Sequence, residues 1–283
     1  MESGVAMRPN PILLLAFASS LLAAPPPLAL VRPIISDSEG GAAFPKGTEY
    51  VTGETLYFSC RISGYRQTEE EKIHLAYSVE VVDAMGVALV EPVQREINDE
   101  VTPQDKDWMP KIETEIAIPT LIGAGTYRIV VKAQDLIAKA NTDLTVPFQV
   151  RARRVDPSDT LTVRNFGFLR SEEDAQPLEK AAYRAGDTVW ARFDITGFRY
   201  GPKNKVDVGY VVSILDGAGK VLWTQPEATT EQSESFYPKR YISGSMSINI
   251  QKNTQPGTYA IGVQVKDAVG TQTYETKQTF TIE

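Results

Sequence analysis

The chain has 283 residues, 42% apolar and 23% charged, with 29 basic against 36 acidic residues and a net charge of −7. One His (His74) and one Cys (Cys60) exclude most zinc sites, most Ser/His or Cys/His catalysis and any internal disulfide. The acidic balance carries no electrostatic footprint for nucleic acid, and no GxxxxGKS/T run or strand-to-helix GxGxxG run points to a nucleotide, so no cofactor and no metal are expected.

Residues 1–29 are expected to be a secretory signal peptide. Arg8 precedes the apolar run Ile12 to Leu22, small residues follow, and Pro25-Pro26-Pro27 ends the segment. The run is too short for a comfortable membrane span, and Met7 is an alternative start. The cut falls after Ala23 or after Ala29, with an uncleaved amphipathic anchor as the alternative. Export predicts a periplasmic or extracellular protein. Without disulfides it must be held by an apolar core. The chain has no Asn-x-Ser/Thr sequon, which points toward a bacterial envelope.

From residue 30 onward the chain is an internal repeat. A shift of 133 places Tyr50, Gly53 and Thr55 on Tyr183, Gly186 and Thr188. It also places Asp83, Gly86 and Leu89 on Asp216, Gly219 and Leu222. One residue later lost, a shift of 132 places Gly125, Thr126 and Tyr127 on Gly257, Thr258 and Tyr259. A period this long belongs to a whole domain rather than to a solenoid unit. The expected organisation is domain 30–150, linker 151–162 and domain 163–283. The linker is short and Arg-rich and carries Asp156-Pro157, which suggests a fixed or hinged tandem.

Each repeat alternates with period two. Leu56, Phe58, Cys60 and Ile62 are copied as Val189, Ala191, Phe193 and Ile195, and Ile73 to Val81 as Val206 to Ile214. Strands buried on one face give this pattern. Asp216 to Lys220 reads as a hairpin turn, and no segment keeps a helical period. The predicted fold class is all-β: two tandem antiparallel sandwiches of six or seven strands each.

Gly125-Thr126-Tyr127-Arg128-Ile129 and Gly257-Thr258-Tyr259-Ala260-Ile261 resemble the tyrosine corner of immunoglobulin-like domains. The resemblance extends over both repeats and is to bacterial Ig-like or fibronectin-III-like modules. It implies that Cys60 stands where such domains keep their first core Cys, facing Ile129 rather than a second Cys. Phe193 and Ile261 replace that pair in the second repeat, and Tyr77 and Tyr210 replace the usual core Trp. Tyr183-Arg184-Ala185-Gly186-Asp187-Thr188-Val189 is similar to the opening of macroglobulin-type domains, without that family's thioester sequence.

Few residues stand out as sites. Cys60 reads as core and His74 as a lone surface side chain. The acidic stretch Glu91 to Glu115 has oxygen ligands for calcium but no EF-hand spacing, and solvation accounts for it. The loops Tyr65-Arg66 and Phe198-Arg199-Tyr200 pair aromatic and Arg side chains, a common composition of binding loops. Their repetition favours a plug at the sandwich end, with Tyr200 the better exposed candidate. Trp108 and Trp223 are either contact residues or buried ones. Charge divides unevenly: residues 30–150 carry 11 basic against 19 acidic residues, and residues 151–283 carry 17 against 16.

No catalytic constellation emerges. The expected function is a non-catalytic interaction module of the cell envelope or extracellular space, with a protein partner favoured over a glycan. Carbohydrate binding and, further off, a carboxylate-based hydrolase are the alternatives. Edge strands leave partnering by strand addition open.

Overall fold

The computed structural model describes residues 26–105 and 107–283. The secretory signal is expected mostly in residues 1–25, outside the described residues. The first eight strands are β1 (Ala29–Ser36), β2 (Glu49–Val51), β3 (Thr55–Ser63), β4 (Lys72–Val82), β5 (Val93–Glu100), β6 (Lys111–Ala117), β7 (Gly125–Asp135) and β8 (Ala140–Arg151). Nine more follow: β9 (Thr162–Leu169), β10 (Ala182–Tyr183), β11 (Thr188–Thr196), β12 (Val206–Asp216), β13 (Val221–Thr224), β14 (Thr229–Ser233), β15 (Ile242–Asn249), β16 (Gly257–Asp267) and β17 (Gln272–Ile282). The fold is all-β.

Two Ig-like sandwiches result. In the first, the sheet β1-β3-β6 faces the sheet β2-β8-β7-β4-β5. In the second, β15-β11-β9 faces β10-β17-β16-β12-β13, with β14 also on β12. Eight and nine strands replace the six or seven expected. The extra ones are too short to show an alternating pattern: β2 and β10 have three and two residues, and β13 and β14 are two pieces of one interrupted edge. The sandwiches are not wholly antiparallel either. β2 and β10 run parallel to β8 and β17, because a chain that crosses between sheets arrives beside the last strand in its own direction.

Burial follows the alternation read in the sequence. β3 alternates strictly, with Leu56, Phe58, Cys60 and Ile62 buried; β11 repeats the pattern as far as Phe193, after which Asp194, Ile195 and Thr196 are all buried, and β12 repeats it as far as Ser213. Each sandwich has its own apolar cluster. One pair of opposed positions shows how the copies differ. Cys60 lies opposite Ile112 across β3 and β6, whereas Phe193 lies opposite Gly244 across β11 and β15. A Cβ on Gly244 would stand 2.3 Å from the Phe193 ring, so the large residue fits only against a residue without a side chain.

Cys60 is 1% exposed, and burial pushes its thiol up to about 12. Only the thiolate reacts. An aromatic disulfide reagent at pH 8 is therefore expected to leave Cys60 unlabelled in the folded chain, with labelling that tracks unfolding in urea. Fast labelling without denaturant would show the core assignment to be wrong.

Both tyrosine corners form. Tyr127 Oη donates to the Gly123 carbonyl at 2.7 Å, and Tyr259 Oη donates to the Gln255 carbonyl at 2.9 Å. Each phenol reaches back four residues and fastens the loop before its own strand.

Candidate functional site

Each sandwich has a head, where the β3–β4 or β11–β12 connection lies, and a tail, which holds the tyrosine corner. The two heads share a design. Gly64 (φ 71°) and Gly197 (φ 77°) directly follow β3 and β11. A Cβ there would meet the Pro27 carbonyl oxygen at 2.2 Å or the Thr160 carbonyl oxygen at 1.9 Å, so only glycine lets the incoming chain cross so closely. The next residues are tied to a buried Asp at the end of the penultimate strand. Asp135 Oδ2 accepts the Arg66 amide at 2.7 Å, and its Oδ1 accepts the amides of Ile137 and Ala138. Asp267 repeats this with Arg199, Val269 and Gly270. One carboxylate thus holds both a hairpin turn and the adjoining loop.

Asp135→Ala would leave three amides without their acceptor. We expect a loss of about 2–3 kcal/mol in urea denaturation, with faster hydrogen exchange confined to residues 65–67 and 136–139. Unchanged exchange there would show that the loop is held by other contacts.

On this frame the candidate residues separate into three places. At the first head, Tyr65 is half-buried and donates its hydroxyl to the Trp108 carbonyl at 2.7 Å. Trp108 is 38% exposed, and Arg66, the residue after Tyr65, is exposed. At the second head, Phe198 is 5% exposed and packs edge-on against Tyr200 at 5.5 Å, so Phe198 serves the core as a plug. Tyr200 is 40% exposed and donates to the Lys239 carbonyl at 2.5 Å, and Arg199 is exposed. Trp223 stands alone at the second tail, 46% exposed. The fold brings Tyr65, Arg66 and Trp108 together, and separately Phe198, Arg199 and Tyr200.

The second head meets the first tail. This contact has no counterpart in the repeat pattern. Tyr237 inserts into the apolar cluster of the first sandwich and is 5% exposed. Its hydroxyl donates to Asp83 Oδ2 at 2.9 Å, and Arg240 Nη2 donates to the same oxygen at 2.7 Å. Arg240 Nη2 also reaches Tyr237 Oη at 2.8 Å, with its guanidinium carbon 5.0 Å from the Tyr237 ring centroid. The Arg240 amide donates to the Leu121 carbonyl at 3.1 Å. Asp83 Oδ1 meanwhile accepts the amides of Met85 and Val87 and closes its own turn. Burial works to raise the Asp83 carboxyl. The Val87 and Met85 amides, the Tyr237 hydroxyl and Arg240 outweigh it, so its pKa lies below the ordinary carboxylate value. Burial raises the Tyr237 phenol, which stays neutral at physiological pH. The linker is held as well: Arg153 Nε donates to buried Asp194 at 2.7 Å, and Asn165 Nδ2 bridges Asp194 and the Arg154 carbonyl.

His74 Nε2 lies 2.8 Å from Glu96 Oε2, both side chains largely exposed. Among the described residues no group of three or more His, Cys, Asp or Glu is placed to hold a metal. No helix among them is long and apolar enough to cross a membrane. The close aromatic pairs among them lie within the cores or at Phe198–Tyr200 and include neither Trp108 nor Trp223.

No protein-family model and no curated protein matches the chain. Several solved structures are similar to it. The C-terminal domain of the antigen I/II polypeptide BspA of Streptococcus agalactiae matches 89% of this chain and 100% of its own length, at 12% identity and a TM-score of 0.32. The C-terminal domain of the antigen I/II-family protein AspA of Streptococcus pyogenes matches 89% of this chain and 99% of its own, at 10% identity and a TM-score of 0.31. A variant of Salmonella alpha-2-macroglobulin matches 83% of this chain, which spans 16% of that protein, at 9% identity and a TM-score of 0.28. The Ig-like assignment stands on the strand pairing and the two tyrosine corners.

Proposed function

We propose that this is an exported, non-catalytic interaction protein of two Ig-like domains, 30–150 and 163–283, that binds a protein partner through the ends of its sandwiches. The observation that carries this reading is the placement of the exposed aromatic residues. Trp108 and Trp223 lie at opposite free ends, while the buried polar groups act as braces for turns and loops. Tyr65, Arg66 and Trp108 form a small aromatic and cationic patch on a loop frame fixed by Asp135, the composition of a protein-binding hot spot. A protein partner is preferred to a glycan because neither Trp is paired with a second ring to form a flat platform. Residues 30–150, which carry the first head, have 11 basic against 19 acidic residues, which favours a partner of basic character.

The first described residues bear on processing. Leu28 is buried and Ala29 pairs with Ser63, so a cut after Ala23 leaves β1 whole, whereas a cut after Ala29 removes part of its packing. We therefore favour the earlier cut. N-terminal sequencing of exported protein tests it.

The function is tested by capture from native envelope extract with the mature chain, in parallel with Arg66→Glu/Trp108→Ala. A protein enriched by the parent and at least tenfold less by the variant supports the reading. Equal capture by both chains, or binding on a glycan array that the variant retains, overturns the assignment to the first head.

A further inference from the structure

The two tails carry matching residues, and the second head is seated on the first of them. At the first tail, Asp83 is 5% exposed and holds Tyr237 and Arg240 from the second head, and Leu89 (1% exposed) and Tyr127 (5%) belong to the apolar cluster that Tyr237 joins. The repeat places Leu222, Tyr259 and Asp216 at the corresponding positions of the second tail. The second tail folds in the same way. Asp216 Oδ1 accepts the amides of Ala218 and Lys220, as Asp83 Oδ1 accepts those of Met85 and Val87. Tyr259 forms its corner as Tyr127 does.

The second tail differs in its edge, where β13 with a bulge at Leu222 replaces the single bridge between Val82 and Ala88, and in its cover. Leu222 is 52% exposed and Trp223 46%. Between the ends of the two sheets runs an apolar groove of about 470 Å³ lined by Ile214, Trp223, Ile248, Ile250, Tyr259 and Phe280. Asp216 Oδ2, the counterpart of the oxygen that receives Tyr237 and Arg240, has no hydrogen-bond partner among the described residues.

We infer that the second tail is a docking site for the head of another Ig-type sandwich module, entered by an aromatic hydroxyl side chain with an Arg three residues on. The Tyr would enter the groove beside Tyr259, and the guanidinium would meet Asp216 Oδ2. The contact within the chain supplies the precedent for both halves. The apolar groove excludes water around the ring, and the carboxylate supplies the charge that selects Arg over a neutral side chain. The occupant comes from a separate module, because the Tyr237 loop of a second copy is already seated in its own first sandwich. This identifies a partner chemistry for the interaction reading and rests on it, but at a different surface from the Trp108 patch.

The test appends a second copy of residues 152–283 after Glu283. It presents a Tyr237/Arg240 head to the second tail in the register that β8 and the linker impose at the first. In both the extended and the parent chain, every tryptophan except the parent Trp223 is replaced by Phe, and acrylamide quenching is read. We expect Trp223 emission to move to the blue and its quenching constant to fall at least threefold in the extended chain. Asp216→Asn, which keeps an oxygen for the turn amides, and Tyr237→Ala/Arg240→Ala in the appended copy should each return it to the parent value. Equal quenching of extended and parent chains overturns the inference. So does protection that survives both sets of substitutions, since the cover would then not be the Tyr/Arg head. Either failure leaves the Trp108 patch, and the capture experiment that tests it, unaffected.

Discussion

Arg240→Met is expected to lower the stability of the first sandwich by about 2–3 kcal/mol and to separate the unfolding of the two sandwiches into two transitions. Removing one partner of a fully buried ion pair costs ~3–5 kcal/mol, because the other charge is left without compensation. Here Asp83 is buried, with a side chain 7% exposed, but Arg240 is 31% exposed, so water recovers part of the loss. Tyr237 would keep its bond to Asp83 but lose the cation over its ring. Calorimetry of the parent and variant chains gives the result directly. Asp83→Asn/Arg240→Met should cost less than the sum of the two single changes, since the double variant leaves no buried charge. Asp216→Asn is the internal control: the same turn, without an Arg, should lose under about 0.5 kcal/mol, because Asp216 is half-buried rather than buried and Asn keeps an oxygen for the turn amides. A single transition in Arg240→Met, with a cost no larger than that of Asp216→Asn, would show that the contact does not couple the sandwiches.

The same contact has a pH signature. The Asp83 pKa is lowered by folding, so the stability that it contributes is complete above the ordinary carboxylate value of about 4 and is lost as the pH falls toward its depressed value. Coupling between the sandwiches should therefore weaken below about pH 4. The parent chain should lose more stability over that range than Arg240→Met, in which this contribution is already reduced.

Gly244→Ile is expected to unfold the second sandwich, and Phe193→Cys/Gly244→Ile to refold it. Phe193 is fully buried, stacks on Phe166 at 5.7 Å and meets Tyr210 edge-on at 5.2 Å. A side chain on Gly244 would enter that ring, and overpacking of a filled core costs about 1–3 kcal/mol or more. Phe193→Cys alone opens a cavity and should cost about 3–5 kcal/mol, as other aromatic deletions do. Made together, the substitutions install the pair that the first sandwich carries, Cys60 against Ile112. Urea midpoints measure all four chains. The double variant should regain most of what either single change loses. Additive losses would mean that the two cores are not interchangeable at this pair.

Much of this molecule is written locally. Strand period, turn residues and the Gly-Thr-Tyr corners depend on neighbours within a few residues, so β3, β11 and both tyrosine corners are legible in the sequence alone. The repeat added the two-sandwich plan, and the substitution of Phe193 for Cys60 marked a core position. Asp135 and Asp267 are themselves related by the shift of 132. Their role depends on an amide about 70 positions earlier in the chain.

The docking of one sandwich on the other was not legible, for a physical reason. Asp83 and Arg240 are 157 residues apart, and no periodicity relates them. A trace did exist: Phe236-Tyr237-Pro238-Lys239-Arg240-Tyr241 is an aromatic and basic cluster within the stretch where the repeat shift changes. Composition could not say whether Trp108, Tyr200 and Trp223 face water, because an aromatic on an edge is buried or exposed according to what packs above it. Sequence by itself thus determined which faces are apolar, since alternation acts along a single strand. Tertiary structure alone decided which of two equivalent tails is covered, because that depends on a side chain delivered from the other sandwich.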